Sequence, residues 1–247
     1  MVDITVVSEE RLLLGHWGKC GIHSVQLYDT RTGHVLAEVQ LLGKPWRMCR
    51  YGRAKAAVAL GDLKNVQFIQ VKDDTLIAGK LLSVKENVYG ITSSGDKLIV
   101  SYSSNPWLEV ISQQGKVLHQ FSNSGTTQNF QSTDWLTSTA DGMIYVSDTR
   151  TATVTKLDSR LNLLQTYTSP LLRHPRGITA VSEDQLIVCN HINHSVVLLR
   201  PSIGEMSTLL GEKDGIQYPY SLSYSSKDRK IYVARYKTDS VFIYEMK

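Results

Sequence analysis

Between His174 and Leu199 the chain reads HPRGITAVSEDQLIVCNHINHSVVLL, which places Cys189, His191 and His194 within six residues. A thiol and two imidazoles at such spacing are the ligand types that hold zinc, so the first chemistry to weigh is a metal centre. Two further imidazoles, His16 and His23, flank Cys20 near the start of the chain. Nucleophilic chemistry is a second option. Cys49 and Cys189, however, fall in apolar runs (RMCRY and LIVCN), where a thiol is expected to be buried and inert. There is no G-x-S-x-G elbow and no glycine-rich phosphate loop.

The elements that would have to position these residues follow from the rest of the 247-residue chain. With 42% hydrophobic and 20% charged residues, the composition is that of a globular protein with a real core. No apolar run approaches the roughly 18 residues needed to span a bilayer, and the opening MVDITVVSEE lacks the basic and apolar regions of a secretory signal. Neither membrane insertion nor secretion is expected. Three widely separated cysteines argue against a disulfide framework and for a reducing, cytoplasmic compartment. The net charge of +4 permits an anionic partner without requiring one.

The chain repeats. YGITSSGDKLIVSYSSNPWLEVIS, RGITAVSEDQLIVCNHINHSVVLL and YSLSYSSKDRKIYVARYKTDSVFIY share one pattern: a short strand, a polar turn, a β-branched strand, a loop and an alternating strand. Extending the register places Ile4, Met48, Gly90, Leu136, Gly177 and Ser221 at equivalent positions of six units. Each unit but the last has room for a fourth strand. Four short strands per unit of about 40 to 50 residues mark a β-propeller blade, whereas a β-sandwich would show turn signals without a higher repeat. The predicted fold is all-β, a single six-bladed propeller with blades near 3–45, 46–87, 88–132, 133–174, 175–217 and 218–247. The last blade is predicted to be three-stranded in this chain, with residues upstream in a longer protein expected to complete it.

PRGITAVSEDQLIVCNHINHSVVLL resembles an NHL repeat, with Pro175, Gly177, Ile178, Ile187, Val188, Asn193, His194 and Val196 at marked positions and Asn190 in place of the usual Asp. Blade 4 keeps that acid as Asp148 but lacks the Asn-His pair. The succession of KPWRM, NVYGITSSGDKLIVSY, GMIYVSD, PRGIT and KDGIQYPYSLSY is similar to the C-terminal propellers of invertebrate TRIM-like NHL proteins. That resemblance implies a non-enzymatic recognition domain. Its parent would be able to act as a ubiquitin ligase through modules that three scattered cysteines cannot build here. It also turns CNHINH from a ligand cluster into part of a repeat, with the Asn193-His194 pair expected to satisfy loop backbone.

In a propeller the loops between strands two and three, and those linking blades, share one face. On this assignment that face collects eleven basic residues against seven acidic ones. The residues opening the first strands, Asp3, Arg47, Tyr89, Trp135, Arg176 and Tyr220, are expected to ring the channel mouth, extended by Trp46, Trp107, Arg173, Arg235, Lys237 and Tyr218. Guanidinium groups pair with carboxylate or phosphate, and aromatic faces stack on planar groups. A protein or peptide is the expected partner and single-stranded or hairpin RNA the alternative, with filling of the channel as the structural reading of the same residues. The isolated domain is expected as a monomer. Metal-dependent lyase or lactonase chemistry is the remote reading. Asp3 is the ring's one carboxylate, and His16, His23, His191 and His194 belong to blades 1 and 5. No cofactor, metal ligand or catalytic residue is assigned.

Overall fold

The structure, a computed structural model, describes residues 1–18, 21–102, 107–121, 130–236 and 238–246. Sheet one comprises β1 (Asp3–Ser8), β2 (Arg11–Trp17), β3 (His23–Asp29) and β4 (His34–Leu41). Sheet two is β5 (Pro45–Arg50), β6 (Lys55–Leu60), β7 (Asn65–Lys72) and β8 (Thr75–Ser83). Sheet three is β9 (Val88–Ser94), β10 (Lys97–Tyr102), β11 (Leu108–Ile111) and β12 (Val117–Gln120). Sheet four is β13 (Trp135–Ser138), β14 (Ile144–Asp148), β15 (Thr153–Leu157) and β16 (Leu163–Thr168). Sheet five is β17 (Pro175–Ser182), β18 (Gln185–Asn190), β19 (Ser195–Arg200) and β20 (Glu205–Leu210). The sixth has three strands, β21 (Pro219–Ser225), β22 (Lys230–Arg235) and β23 (Val241–Glu245). All are antiparallel and keep chain order, and each first strand packs against the first strands of both neighbours, β1 closing on β21. The fold is a six-bladed β-propeller, as the repeat predicts.

Both faces of every blade are covered by neighbours, which is why the second strands read as continuous apolar runs such as KAAVAL, QLIVCN and KIYVAR and are buried almost throughout. Hydrophobic clusters fill the seams between successive blades. The seam that closes the ring, between blades 6 and 1, has the smallest buried set: Ile4, Leu12, Leu14, Tyr232 and Ala234. Polar contacts supplement it. Ser221 donates to Asp3, the Val6 N–H donates to Ser223 Oγ at 3.0 Å, and the N-terminal ammonium meets Asp239 at 2.9 Å.

The strand register differs from the aligned positions in three blades. Ile4, Met48 and Leu136 face Leu14, Val58 and Val146, but the residues facing Val100, Val188 and Val233 are Ile91, Ile178 and Leu222 rather than Gly90, Gly177 and Ser221. Strands β5, β9, β17 and β21 each carry a bulge near their start, so in the shared register Gly90, Gly177 and Ser221 match Arg47 rather than Met48. The corrected register exposes a layer the alignment missed. The next residues are Thr5, Cys49, Thr92, Thr137, Thr179 and Ser223, five hydroxyls and a thiol. Several of them tie neighbouring inner strands together: Thr5 donates to the Met48 carbonyl at 3.0 Å, and Thr137 accepts from the Ala180 N–H at 3.2 Å.

Candidate functional site

The bulged starts of β5, β17 and β21, with β13, bring four of the sequence-predicted residues together at one end of the channel. Arg47 lies with its guanidinium carbon 3.4 Å above the Trp135 ring and 5.4 Å from Tyr220, and Arg176 sits 4.8 Å from the same Tyr220 ring. Trp135 and Tyr220 meet edge to face at 5.2 Å. This cluster closes the channel. Arg47, Trp135 and Tyr220 are only 3%, 4% and 8% exposed, so the aromatic rings expected to stand open around the axis are instead packed beneath the surface. The cause is cation–π and edge-to-face stacking, which is strongest when desolvated.

Asp3, at the same end, is also buried. Its carboxylate accepts from Ser221 and from the Met48 N–H at 2.5 Å, bridging blades 6, 1 and 2. Burial pushes its pKa up to about 6, against the pull of the Arg47 charge and these hydrogen bonds.

The other predicted residues form a partly open shoulder. Trp46 stacks on Tyr89 at 4.4 Å and takes the edge of Trp17 at 4.7 Å, while Trp17 Nε1 donates to the Pro45 carbonyl at 2.8 Å. Gly61 makes room for this ladder, since a Cβ there would fall 1.6 Å from Trp46 Cδ1. Gly61→Ala is expected to displace the Trp46 ring and abolish the near-ultraviolet circular dichroism of the Trp46–Tyr89 pair. The stability cost should stay within about 1 kcal/mol, because the ring lies at the surface; an unchanged spectrum would refute the stacking. Lys85 Nζ lies 4.3 Å from the Trp107 ring, and Arg235 covers Phe242 at 3.6 Å while donating to the Gly215 carbonyl. Arg173 is exposed. Lys237, like Lys19 and Cys20, lies outside the described residues.

CNHINH resolves into three separate tasks. Asn190 satisfies the loop before β17, accepting from the Arg173 N–H at 2.6 Å and donating to the Leu171 carbonyl, the part that Asp148 plays for the Gln131, Arg150 and Thr151 N–H groups. His194, in the left-handed region at φ 47°, accepts from the Tyr218 N–H at 3.0 Å, bracing the next blade rather than its own loop. His191 Nδ1 lies 3.1 Å from the Pro219 carbonyl, and burial holds this imidazole below its usual pKa. Among the described residues no three His, Cys, Asp or Glu side chains gather as a metal-binding set. Burial drives the Cys49 thiol up to about 12 and Cys189 well above its usual value. No helix is long and apolar enough to cross a membrane.

Trp17, Tyr218 and Tyr236 are 42%, 54% and 47% exposed, and with Ile22, Leu42, Leu63 and Ile192 they all lie on the loop face. They are seven of the fifteen exposed large apolar side chains among the described residues, and they form a crescent over blades 5, 6, 1 and 2. Trp17 and Tyr236 escaped the sequence reading because Trp17 ends β2 and Tyr236 directly follows β22. Assigning strand ends to the loop face would have found them.

No protein-family model matches this chain, and no curated protein sequence matches it. Its fold is shared by solved structures. The Cps50 (Swd1) β-propeller domain of Myceliophthora thermophila is 12% identical, with a TM-score of 0.67 over 100% of this chain and 84% of that one. Virginiamycin B lyase from Staphylococcus aureus is 13% identical, with a TM-score of 0.66 over 100% and 84%. A chain of the nidogen/laminin complex is 14% identical, with a TM-score of 0.67 over 90% and 83%. One architecture thus carries a lyase and a member of a protein complex, and the likeness establishes the propeller alone.

Proposed function

We propose that the loop face recognises a protein or peptide partner and that the chain is non-enzymatic. The observation that carries this reading is the concentration of exposed apolar residues on the loop face of four adjacent blades, since exposed apolar surface rimmed by polar residues marks interaction sites. Trp17 and Tyr218 are residue types that anchor interfaces. The resemblance of PRGIT and the Asn193-His194 pair to NHL repeats supports a narrower version, the recognition end of a TRIM-like cytoplasmic protein. RNA binding is less favoured, because Arg47 is withdrawn beneath the loop face against Trp135, out of reach of a nucleic-acid backbone lying on that face.

The test uses Trp17→Ala with Tyr218→Ala, both at exposed positions. Arg47, Trp135 and Tyr220 are unsuitable probes because their loss would disturb the core. A partner captured by the wild-type chain is expected to lose affinity by about 30-fold or more in the double variant, the scale of an interface anchor of roughly 2 kcal/mol. Capture that is indifferent to both substitutions would reject the reading. So would tight, salt-sensitive binding of single-stranded RNA that falls with Arg176→Glu, which would favour RNA instead.

A further inference from the structure

The channel itself opens on the opposite face. A cavity of about 1070 Å³ runs along the axis from the closed end at Asp3, Arg47 and Trp135 to the turns between first and second strands, where Arg53, Gly95 and Lys227 are exposed. Its wall carries hydroxyls from the inner strands, including Thr92, Thr137, Thr179 and Ser223. At the closed end Arg47 Nε and Trp135 Nε1 are buried donors with no hydrogen-bond partner. Among the described residues Arg47 is within ion-pair distance of no carboxylate, and its Nη1 donates to the Trp46 carbonyl at 2.5 Å. A buried guanidinium N–H and a buried indole N–H without acceptors are each costly to leave so. Asp3 attracts Arg47 through its charge, but its hydrogen bonds go to Ser221 and Met48 and to neither of these donors.

From these observations we propose that the channel binds a small hydroxylated oxyanion, a sugar acid or a sugar phosphate, entering from the turn face with its anionic group toward Arg47 and Trp135. The hydroxyl-bearing wall matches a ligand rich in hydroxyls. At the mouth Arg50 and Arg53 are exposed cations and Glu9 pairs with Lys227, so the entry favours negative charge, while the other lining acids, Asp3 and Asp134, belong to the first-strand starts at the closed end. This site is separate from the loop-face crescent and stands whether or not that face binds a partner.

The test is isothermal titration calorimetry of the full chain with glucuronate, glucose 6-phosphate and glucose at constant ionic strength. At least one of the two anions is expected to bind, and glucose to bind at least tenfold more weakly, on the scale of a hydrogen bond to a charged group of about 1.5–3 kcal/mol. Binding of glucuronate alone identifies a carboxylate ligand, and of glucose 6-phosphate alone a phosphate ligand. Arg47→Met, which removes the guanidinium lying over Trp135 and keeps an unbranched side chain, is expected to abolish the preference for the anions. Should that variant fail to fold, Arg53→Glu at the exposed mouth is expected to weaken anion binding several-fold, with Arg173→Gln on the other face leaving it unchanged. No anion binding at millimolar concentration, equal binding of glucose, or affinity untouched by Arg47→Met or by Arg53→Glu would overturn the proposal.

Discussion

Gly177→Val is expected to destabilise the propeller by about 3 kcal/mol or more, among the largest effects of any single substitution at its inner ring. A Cβ at residue 177 would lie 2.9 Å from Ser221 Cα, 3.0 Å from the Leu222 nitrogen and 3.0 Å from the Tyr220 carbonyl oxygen. All three are backbone atoms of the next blade, so no side chain can turn aside to make room. Relief requires β17 and β21 to part, and they are neighbours in a closed ring whose other members resist that movement. Gly204→Ala provides the control: its Cβ meets nothing within 4 Å, and its φ of 66° restricts the cost to the left-handed backbone, about 1 kcal/mol. Urea unfolding of the two variants measures the contrast. Equal midpoints would mean that the blades are not held at this spacing.

The same glycine shows what could be read in the sequence and what could not. Its place in PRGIT was visible as part of a repeat, and the repeat led to six blades because four-strand periodicity is carried by apolar alternation and turn residues, both local properties. Its reason for being glycine depends on the distance to residue 221 in another blade, which no local pattern records. The bulges in β5, β9, β17 and β21 were illegible for a related reason. An extra residue leaves the composition of a strand unchanged while moving its side chains by one position. The candidate site suffered most from this. Asp3, Arg47 and Trp135 were correctly placed near the axis, but their depth is set by stacking between residues 88 positions apart, as for Arg47 and Trp135. Residues read as a mouth therefore became a plug. The apolar crescent, by contrast, was legible in principle, since Trp17 and Tyr236 follow from strand ends once the face of each loop is known.

Asp3→Asn is expected to remove a pH dependence that the wild-type chain shows between about pH 4 and 6. The Asp3 carboxyl has a pKa near 6 in the folded protein against 3.8 when unfolded, because burial disfavours its charged form. The folded state therefore holds this proton more tightly. Between those two values it binds more protons than the unfolded state, so stability falls as pH rises from about 4 to about 6 and is level above. The loss amounts to about 3 kcal/mol, taking about 1.4 kcal/mol for each pH unit of displacement. Arg47's attraction is already included in that balance, and it does not offset the burial. Asparagine preserves the geometry: its oxygen accepts from the Met48 N–H, and its amide donates to the Ser221 hydroxyl, which can turn to accept. The variant should match the wild type near pH 4 and exceed it near pH 7.5, with the difference opening across pH 4 to 6. Other carboxylates titrate in both proteins, so the informative quantity is the gap between the two urea-midpoint curves rather than the slope of either. Parallel curves would show that Asp3 is ionised without cost. The closing seam between blades 6 and 1 would then gain its strength from a charged staple rather than lose part of it to one.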